Sequence, residues 1–318
     1  MKSKYKIAIV IPYFGKWPEW IDLFLYSCKL NSTIHFFLFT DCKIPKDVAN
    51  NIHFTEITFT DYRSMVSKKL KISFNPDHPY KLCDLKPFYG YLHHDILENF
   101  EFYGFGDLDL VYGNIREFIT DDLLNKFNVI STHRDRISGH LSLFKNIESN
   151  INAPFKIQNW KIKLENKKRI SVDERYLAKV YLPFLENLLL IKKALKWLIG
   201  IEKVMIINAF ILKIYKKSGS YKKRKLFFVE MYTTPFTPVS WLDGTVHENQ
   251  PDTWYYKKGS ITNSRDTNRN FIYLHFMNFK DGKFRKDKVK LWQGDFCNLN
   301  DKEMANGVLI NPSGISSL

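Results

Sequence analysis

Along the first sixty residues the apolar positions come in short blocks separated by polar breaks. Lys6–Ile11 (KIAIVI) is continuous and β-rich, the mark of a strand buried on both faces, and Pro12 and Gly15 end it. Trp20–Leu30 spaces its apolar residues at the helical period. His35–Thr40 (HFFLFT) is a second short apolar run that stops at Asp41, and Ile52–Phe59 is a third strand candidate. Strand, helix and strand at this rhythm predict a parallel sheet with crossover helices. Ligands of such sheets bind beyond the carboxyl ends of the strands. Pro12–Gly15, Thr40–Asp41 and Asp107–Asp109 all fall at such ends. Further along, a helix is expected from Asp84 through His94 to about Glu98, with Pro87 in its first turn. Val129–Thr132 reads as a strand and Ser171–Tyr181 as a helix start.

The pattern then changes. From Phe184 to Lys217 the chain is strongly apolar, with Lys192, Lys196 and Lys203 near one helical face, and the basic run Lys216–Lys225 follows. Two readings fit: a helix lying in a membrane interface, or a helical pair packed on the sheet with its lysines in water. After Leu226 short strands and turns return, at Trp241, Pro251–Gly259 and Phe271–Phe279. The expected organisation is a main unit over 1–183, a basic amphipathic insertion over 184–226, a completing unit over 227–305 and a flexible tail over 306–318.

Composition sharpens this. The chain has 318 residues, 45% hydrophobic and 16% aromatic, and a net charge of +15. That balance suits a packed core with an affinity for phosphates, whether of nucleic acid, anionic lipid or a nucleotide. The sequence carries no helix-turn-helix, RNA-recognition or zinc-finger signature, so nucleic acid is not an expected partner. Cys28, Cys42, Cys83 and Cys297 have no metal-type spacing and read as free thiols of a reducing cytosol. The N-terminal apolar run reads as a first strand rather than a signal peptide, and no stretch is long enough to span a bilayer.

The segment Tyr103–Asn114, YGFGDLDLVYGN, carries the chemistry. In an extended segment Asp107 and Asp109 share a face. Two carboxylates so placed need a cation, or one of them must be protonated. Hard divalent ions such as Mg²⁺ and Mn²⁺ take carboxylate oxygens together with substrate phosphates. A turn with two solvated aspartates is the alternative.

Together, IAIVIPYFGKWPEWIDLFLYSC, FFLFTD, YKLCDLKPFYGYLHHDIL, FYGFGDLDLVYGNI, SGHLSLFKN, SVDERYLAK and NFIYLHFMNFK resemble the GT-A class of nucleotide-sugar glycosyltransferases. More narrowly, they resemble a group of bacterial glycosyltransferase-like proteins tied to surface polysaccharide synthesis. The matching pieces cover most of the chain except 184–226 and the tail. The resemblance implies an α/β, Rossmann-like GT-A fold with a mixed, mainly parallel sheet flanked by helices. It implies transfer of a hexose from a UDP-sugar to a glycan or lipid-linked glycan, with Mn²⁺ or Mg²⁺ as cofactor. The setting would be the cytoplasm, with a peripheral location on the inner face of the cell membrane.

The resemblance also implies roles. Asp109, Asp107 and His275 would hold the metal; the alternative for His275 is a core histidine. Lys280 would meet the β-phosphate. Pro12, Tyr13, Phe14 and Asp41 would hold the nucleoside. Asp84 and Lys86 would face the nucleotide or donor sugar, Asp84 being otherwise a helix cap. Asp173 and Glu174 are the acid–base or acceptor-orienting candidates, or else a helix-start acidic pair. Ser138, Gly139 and His140 would shape the sugar pocket, and Trp241 and Trp254 would stack on acceptor rings unless they are core. His93 and His94 read as structural. Inverting transfer needs a carboxylate base and retaining transfer does not, and the sequence leaves both open. A non-catalytic basic protein that binds glycan, membrane or nucleic acid is the alternative to the enzyme.

Overall fold

The computed structural model describes residues 4–133, 136–182, 226–227, 233–235, 251–281, 291–292 and 299–318. The insertion 184–226 lies almost wholly outside them, as does Trp241.

The first apolar run forms β1 (Ile7–Pro12), and Ile7, Ala8, Ile9 and Val10 are fully buried. It pairs in parallel with β2 (Ile34–Thr40), and β2 with β3 (Ile52–Glu56). On its other side β1 pairs in parallel with β4 (Phe102–Gly106). The next strand in sequence, β5 (Leu110–Tyr112), leaves this sheet. β6 (Val129–Ser131) and β7 (Leu141–Lys145) return to it, β7 antiparallel to both β4 and β6, with β8 (Leu226–Phe227) parallel to β6. The order β3-β2-β1-β4-β7-β6-β8 is thus mixed and mainly parallel, with helices on its faces, as the sequence predicts. Neighbours on opposite sides of β1 make its junction with β4 a switch point, where crossovers diverge and leave a crevice at the carboxyl ends.

Helix α1 (Ile21–Leu30) covers one face, with Leu23, Phe24, Tyr26 and Cys28 buried. The opposite face is covered by α2 (Phe59–Leu70), whose N-cap Thr58 accepts the Asp61 amide at 3.1 Å. Burying each large apolar side chain is worth about 1.5–3 kcal/mol, so these two clusters supply most of the drive.

A smaller antiparallel sheet lies beyond, with β9 (Trp254–Lys257), β10 (Ser260–Asn263), β12 (Val308–Asn311) and β13 (Gly314–Ser317) in the order β10-β9-β12-β13. Between them β11 (Tyr273–His275) pairs with β5.

Two expectations are corrected. The C-terminal residues form the β12–β13 hairpin instead of a flexible tail: Val308 and Ile310 alternate inward, and Asn311 and Gly314 close the turn. The Asp84 region is not an α-helix capped by that residue. A 3₁₀-helix, Pro79–Phe88, is capped by His78, and short α turns follow at Tyr89–Leu92 and His94–Leu97. Pro87 supplies no amide donor and so breaks the longer helix that the apolar spacing suggests.

Candidate metal and carboxylate site

Gly106 ends β4, and the chain bends through Asp107-Leu108-Asp109 into β5. The Trp20 indole donates to the Leu108 carbonyl at 2.9 Å and holds the bend. Because β11 pairs with β5, His275 lies opposite Leu110, and the Phe276 amide donates to the Asp109 carbonyl at 3.2 Å. This brings a residue 166 positions away beside Asp109, with Nε2 3.5 Å from Oδ2. His275 Nδ1 faces Thr234 Oγ1 at 3.3 Å, so Nε2 is the nitrogen turned to the carboxylates.

One ligand atom each from Asp107, Asp109 and His275 lies within 4.8 Å of the others. Two oxygens and an imidazole nitrogen suit Mn²⁺ or Mg²⁺. Bonds of about 2.1 Å span donors up to about 4.2 Å apart, close to the spacing of this set. The residues therefore fit a divalent ion.

Lysines flank the acids. Lys280 Nζ is 2.9 Å from Asp109 Oδ2, and Lys86 Nζ donates to Asp107 Oδ1. Burial pushes the Asp109 carboxyl up, but Lys280 and His275 outweigh it and hold it well below the usual range. Burial pulls both ammonium groups down, and the neighbouring aspartates reverse this and raise them.

Lys86 also donates to the Gly139 carbonyl at 2.7 Å. Gly139 in turn meets the second acidic pair: a Cβ there would lie 2.9 Å from both Asp173 Oδ2 and Glu174 Oε1. Only glycine lets these carboxylates approach the loop so closely. They ride on a π-helical turn, Val172–Tyr176, followed by a helix at Leu177–Tyr181. Such turns recur at functional sites. Burial and the neighbouring Glu174 push the Asp173 carboxyl up to about 7, against the pull of Arg169 and Lys86. Arg169 Nη2 lies 3.4 Å from both Asp173 oxygens.

On the other side of the crevice the Asp41 carboxylate accepts the Gly15 amide at 2.7 Å, and Gly15 takes a φ of 108° that favours glycine. The half-buried Tyr13 ring stacks on Trp17 at 5.3 Å, and Pro12 is also half-buried. Phe14, expected beside a nucleoside, is instead core, packed on Phe59 and Tyr62.

Several other expectations land inside the protein. Asp84 is fully buried and bonded to Lys81 and to the Ile170 and Val172 amides, which leaves it no contact with a donor sugar. Ser138 is buried with its backbone tied to Ser131 and Ser142. His140 is buried too, stacked on His275 at 4.2 Å with Nε2 2.6 Å from the Tyr273 hydroxyl. It packs behind His275 inside the protein rather than lining a sugar pocket. Trp254 is core. His93 is buried against Tyr62, Tyr89 and Phe39, a structural residue as expected.

Sequence reasoning missed Trp17, Trp20, Arg169 and Lys81. Only the aromatic spacing of WPEW hints at the first two, and the charge spacings Lys81–Asp84 (i,i+3) and Arg169–Asp173 (i,i+4) are the local signal for the others. Among the described residues, no helix is long and apolar enough to cross a membrane.

Three glycosyltransferases are among the solved structures to which parts of this chain are similar. A galactosyltransferase, LgtC, determined with donor and acceptor sugar analogs, matches 54% of this chain and 69% of its own at 10% identity, with a TM-score of 0.32. Glycosyltransferase GlyE of Streptococcus pneumoniae TIGR4, in its apo form, matches 62% of this chain and about half of its own (52%) at 13% identity and 0.32. Mouse xyloside xylosyltransferase 1 matches 86% and 97% at 10% identity and 0.32. A search of curated proteins returns no match. Residues 9–305 match the family described as a family of unknown function, DUF6625, and the chain belongs to it.

Proposed function

We propose that this protein is a divalent-metal-dependent glycosyltransferase that moves a hexose from a UDP-sugar to a glycan or lipid-linked glycan. The observation that carries the reading is the meeting, at the switch point of the sheet, of the Asp107/Asp109/His275 set with a second acidic pair bridged to it through Lys86 and Gly139. When bound, Mn²⁺ or Mg²⁺ would neutralise charge gathering on a diphosphate leaving group.

The chain's own residues divide the remaining work. Asp107, Asp109 and His275 hold the ion. Lys280 offers an ammonium to the β-phosphate. Tyr13, with Trp17 behind it, presents an aromatic face to the base, and Asp41 shapes that loop. Asp173, whose carboxyl titrates near neutrality, takes the acceptor hydroxyl's proton as general base, with Glu174 orienting that hydroxyl. A base in this role belongs to inverting transfer.

The test is nucleotide release over a panel of UDP-sugars with and without Mn²⁺. Metal-dependent UDP release with one donor supports the reading, and no release with any nucleotide sugar overturns it. The insertion 184–226 is proposed to dock the enzyme on an anionic inner membrane face, as part of surface polysaccharide synthesis. Absence of co-flotation with anionic liposomes would end that part.

A further inference from the structure

The 3₁₀-helix Pro79–Phe88 carries two charged residues that the chemistry above does not use. Lys81 and Asp84 are 2% and 0% exposed, and ions so deeply buried need full compensation. They have it. Lys81 Nζ donates to Asp84 Oδ2 at 2.9 Å, to the Lys163 carbonyl at 2.8 Å and to the Lys168 carbonyl at 2.9 Å, which uses all three of its hydrogens. Asp84 Oδ2 also accepts the Ile170 amide at 2.9 Å, and Oδ1 accepts the Val172 amide at 2.8 Å.

Those two amides flank Ser171, whose φ of 61° is left-handed. A residue with a Cβ held there costs roughly 1–3 kcal/mol and persists only where its surroundings fix it. Charge-assisted bonds to the amides on both sides supply that constraint. Ser171 then opens the π-helical turn that aims Asp173 and Glu174 at Gly139. The same 3₁₀-helix carries in its last turn Lys86, which grips Asp107 and the Gly139 carbonyl. One short helix thus holds the carboxylate turn through Asp84 and the metal loop through Lys86, two residues further on.

We infer that Asp84, neutralised by Lys81, is a positioning residue that sets the Asp173/Glu174 turn against the metal loop, and that it does not touch substrate. The inference rests on the acid–base reading of that pair. The groups facing Asp173 are Glu174 and Arg169 from its own segment, and Tyr80, Cys83, Asp84 and Lys86 from the 3₁₀-helix. Asp84 pushes the Asp173 carboxyl upward, so removing its charge, or loosening the turn to admit water, lowers the titration point.

The test is Asp84→Asn, assayed for kcat, donor KM, pH profile and Tm. The expected result is a loss of about 10–100-fold in kcat, the scale of an outer-shell change, with donor KM unchanged. The acidic limb of the profile should move to lower pH. A folded variant with wild-type kcat and an unmoved limb overturns the inference, and so does a lower Tm with an unmoved limb. If the variant does not fold, hydrogen exchange on the wild-type chain decides. The Ile170 and Val172 amides should exchange as slowly as those of β1, and rapid exchange overturns the clamp. Full activity in Asp173→Asn would instead sink the base assignment while leaving the exchange result as it stands.

Discussion

The crevice holds two acidic pairs of the same chemical kind in opposite surroundings. At the end of β4, Asp107 and Asp109 each have a lysine in contact, and Asp109 has His275 besides. Its carboxyl is held well below the ordinary range. Across Gly139, Asp173 is buried beside Glu174 with Arg169 at the longer distance of 3.4 Å, and its carboxyl rises to about 7. Environments that drive like groups apart are how one cleft obtains a permanent anion for a cation and a proton acceptor near neutral pH. The contrast teaches that D-x-D spacing alone does not make a metal site, and an Asp-Glu pair alone does not make a base. Burial and the cations within reach set the two pairs apart: Lys280 and His275 hold Asp109 low, while burial beside Glu174 raises Asp173.

The largest effect expected follows from removing the permanent anion. Asp109→Ala should lower turnover by about 10³-fold or more, since it deletes both a ligand and the partner of Lys280. Mn²⁺ binding followed by electron paramagnetic resonance should weaken in parallel, with a native circular dichroism spectrum and a Tm lowered at neutral pH by loss of the stability that the depressed carboxyl contributes. Wild-type turnover in that variant would break the comparison at once. Next comes Asp173→Asn, expected to cost about 10²–10⁴-fold in kcat and to erase the limb near pH 7. Its stability should move the other way. The wild-type carboxyl resists ionisation in the fold, so its stability contribution is complete below about pH 4 and declines as pH rises through about 7. Asparagine avoids that decline. The variant should match the wild type in acid and exceed it at pH 8, by at most about 4 kcal/mol in denaturant titrations.

The two pairs differ as much in how well the sequence displays them. β1, β2, β3 and β4 are short apolar runs closed by polar breaks, so the parallel half and its strand ends follow from periodicity. The Asp107/Asp109 pair is visible because its two residues stand two apart at the end of an apolar run, although they sit on the bend between β4 and β5 and not on one strand face. What makes it a site is not local. His275 arrives through the β5–β11 pairing, and Lys280 sits on the turn after it. On the other side Asp173 and Glu174 were found as residues, but their environment was illegible. Lys81 and Asp84 are ordinary charged residues in sequence, and contacts spanning more than 80 positions give them meaning, whereas Arg169 meets Asp173 only four positions on. Asp84 also misled: D-L-K-P looks like a helix start facing substrate, and the 3₁₀ geometry turned the aspartate inward. Phe14 fails for a simpler reason: it packs into the core against Phe59 and Tyr62, while its neighbour Tyr13 stays half-buried on Trp17.

A smaller effect probes the bridge between the pairs. Gly139→Ala places a methyl group against both carboxylates of the second pair, which must shift by a few tenths of an ångström or more. Its kcat should fall by about 10-fold to 100-fold, on the scale of misplaced positioning groups, while Mn²⁺ binding stays as in the wild type. Equal losses in both would mean that the pairs are not separable.

Lys280→Met tests the metal side by pH. Asp109 is held low by its cations, so its contribution to stability is present above the unfolded carboxyl range, near pH 4, and is lost as pH falls through the folded value. Without Lys280 that folded value rises. Acid unfolding should then begin at higher pH than in the wild type, whereas Asp173→Asn should not advance it. If both variants unfolded at the same pH, the contrast in environments would be lost.

The smallest effect lies outside both pairs and serves as their control. The Tyr13 ring is stacked on Trp17 at an interplanar angle of 9°, and the Trp17 indole donates to the Lys43 carbonyl at 2.8 Å. Trp17 thus fixes the orientation of the ring that would meet the base. An aromatic pair is worth about 0.5–1.5 kcal/mol beyond burial, so Trp17→Leu should raise the KM for the donor by up to about 10-fold. Nothing in this contact changes as charge develops on the diphosphate, so kcat and both pH limbs should stay where they are. A fall in kcat as large as that of Gly139→Ala would show that the aromatic loop and the acidic pairs act as one unit. The division of labour between strand end and π-helical turn would then have to be redrawn around the loop after β1.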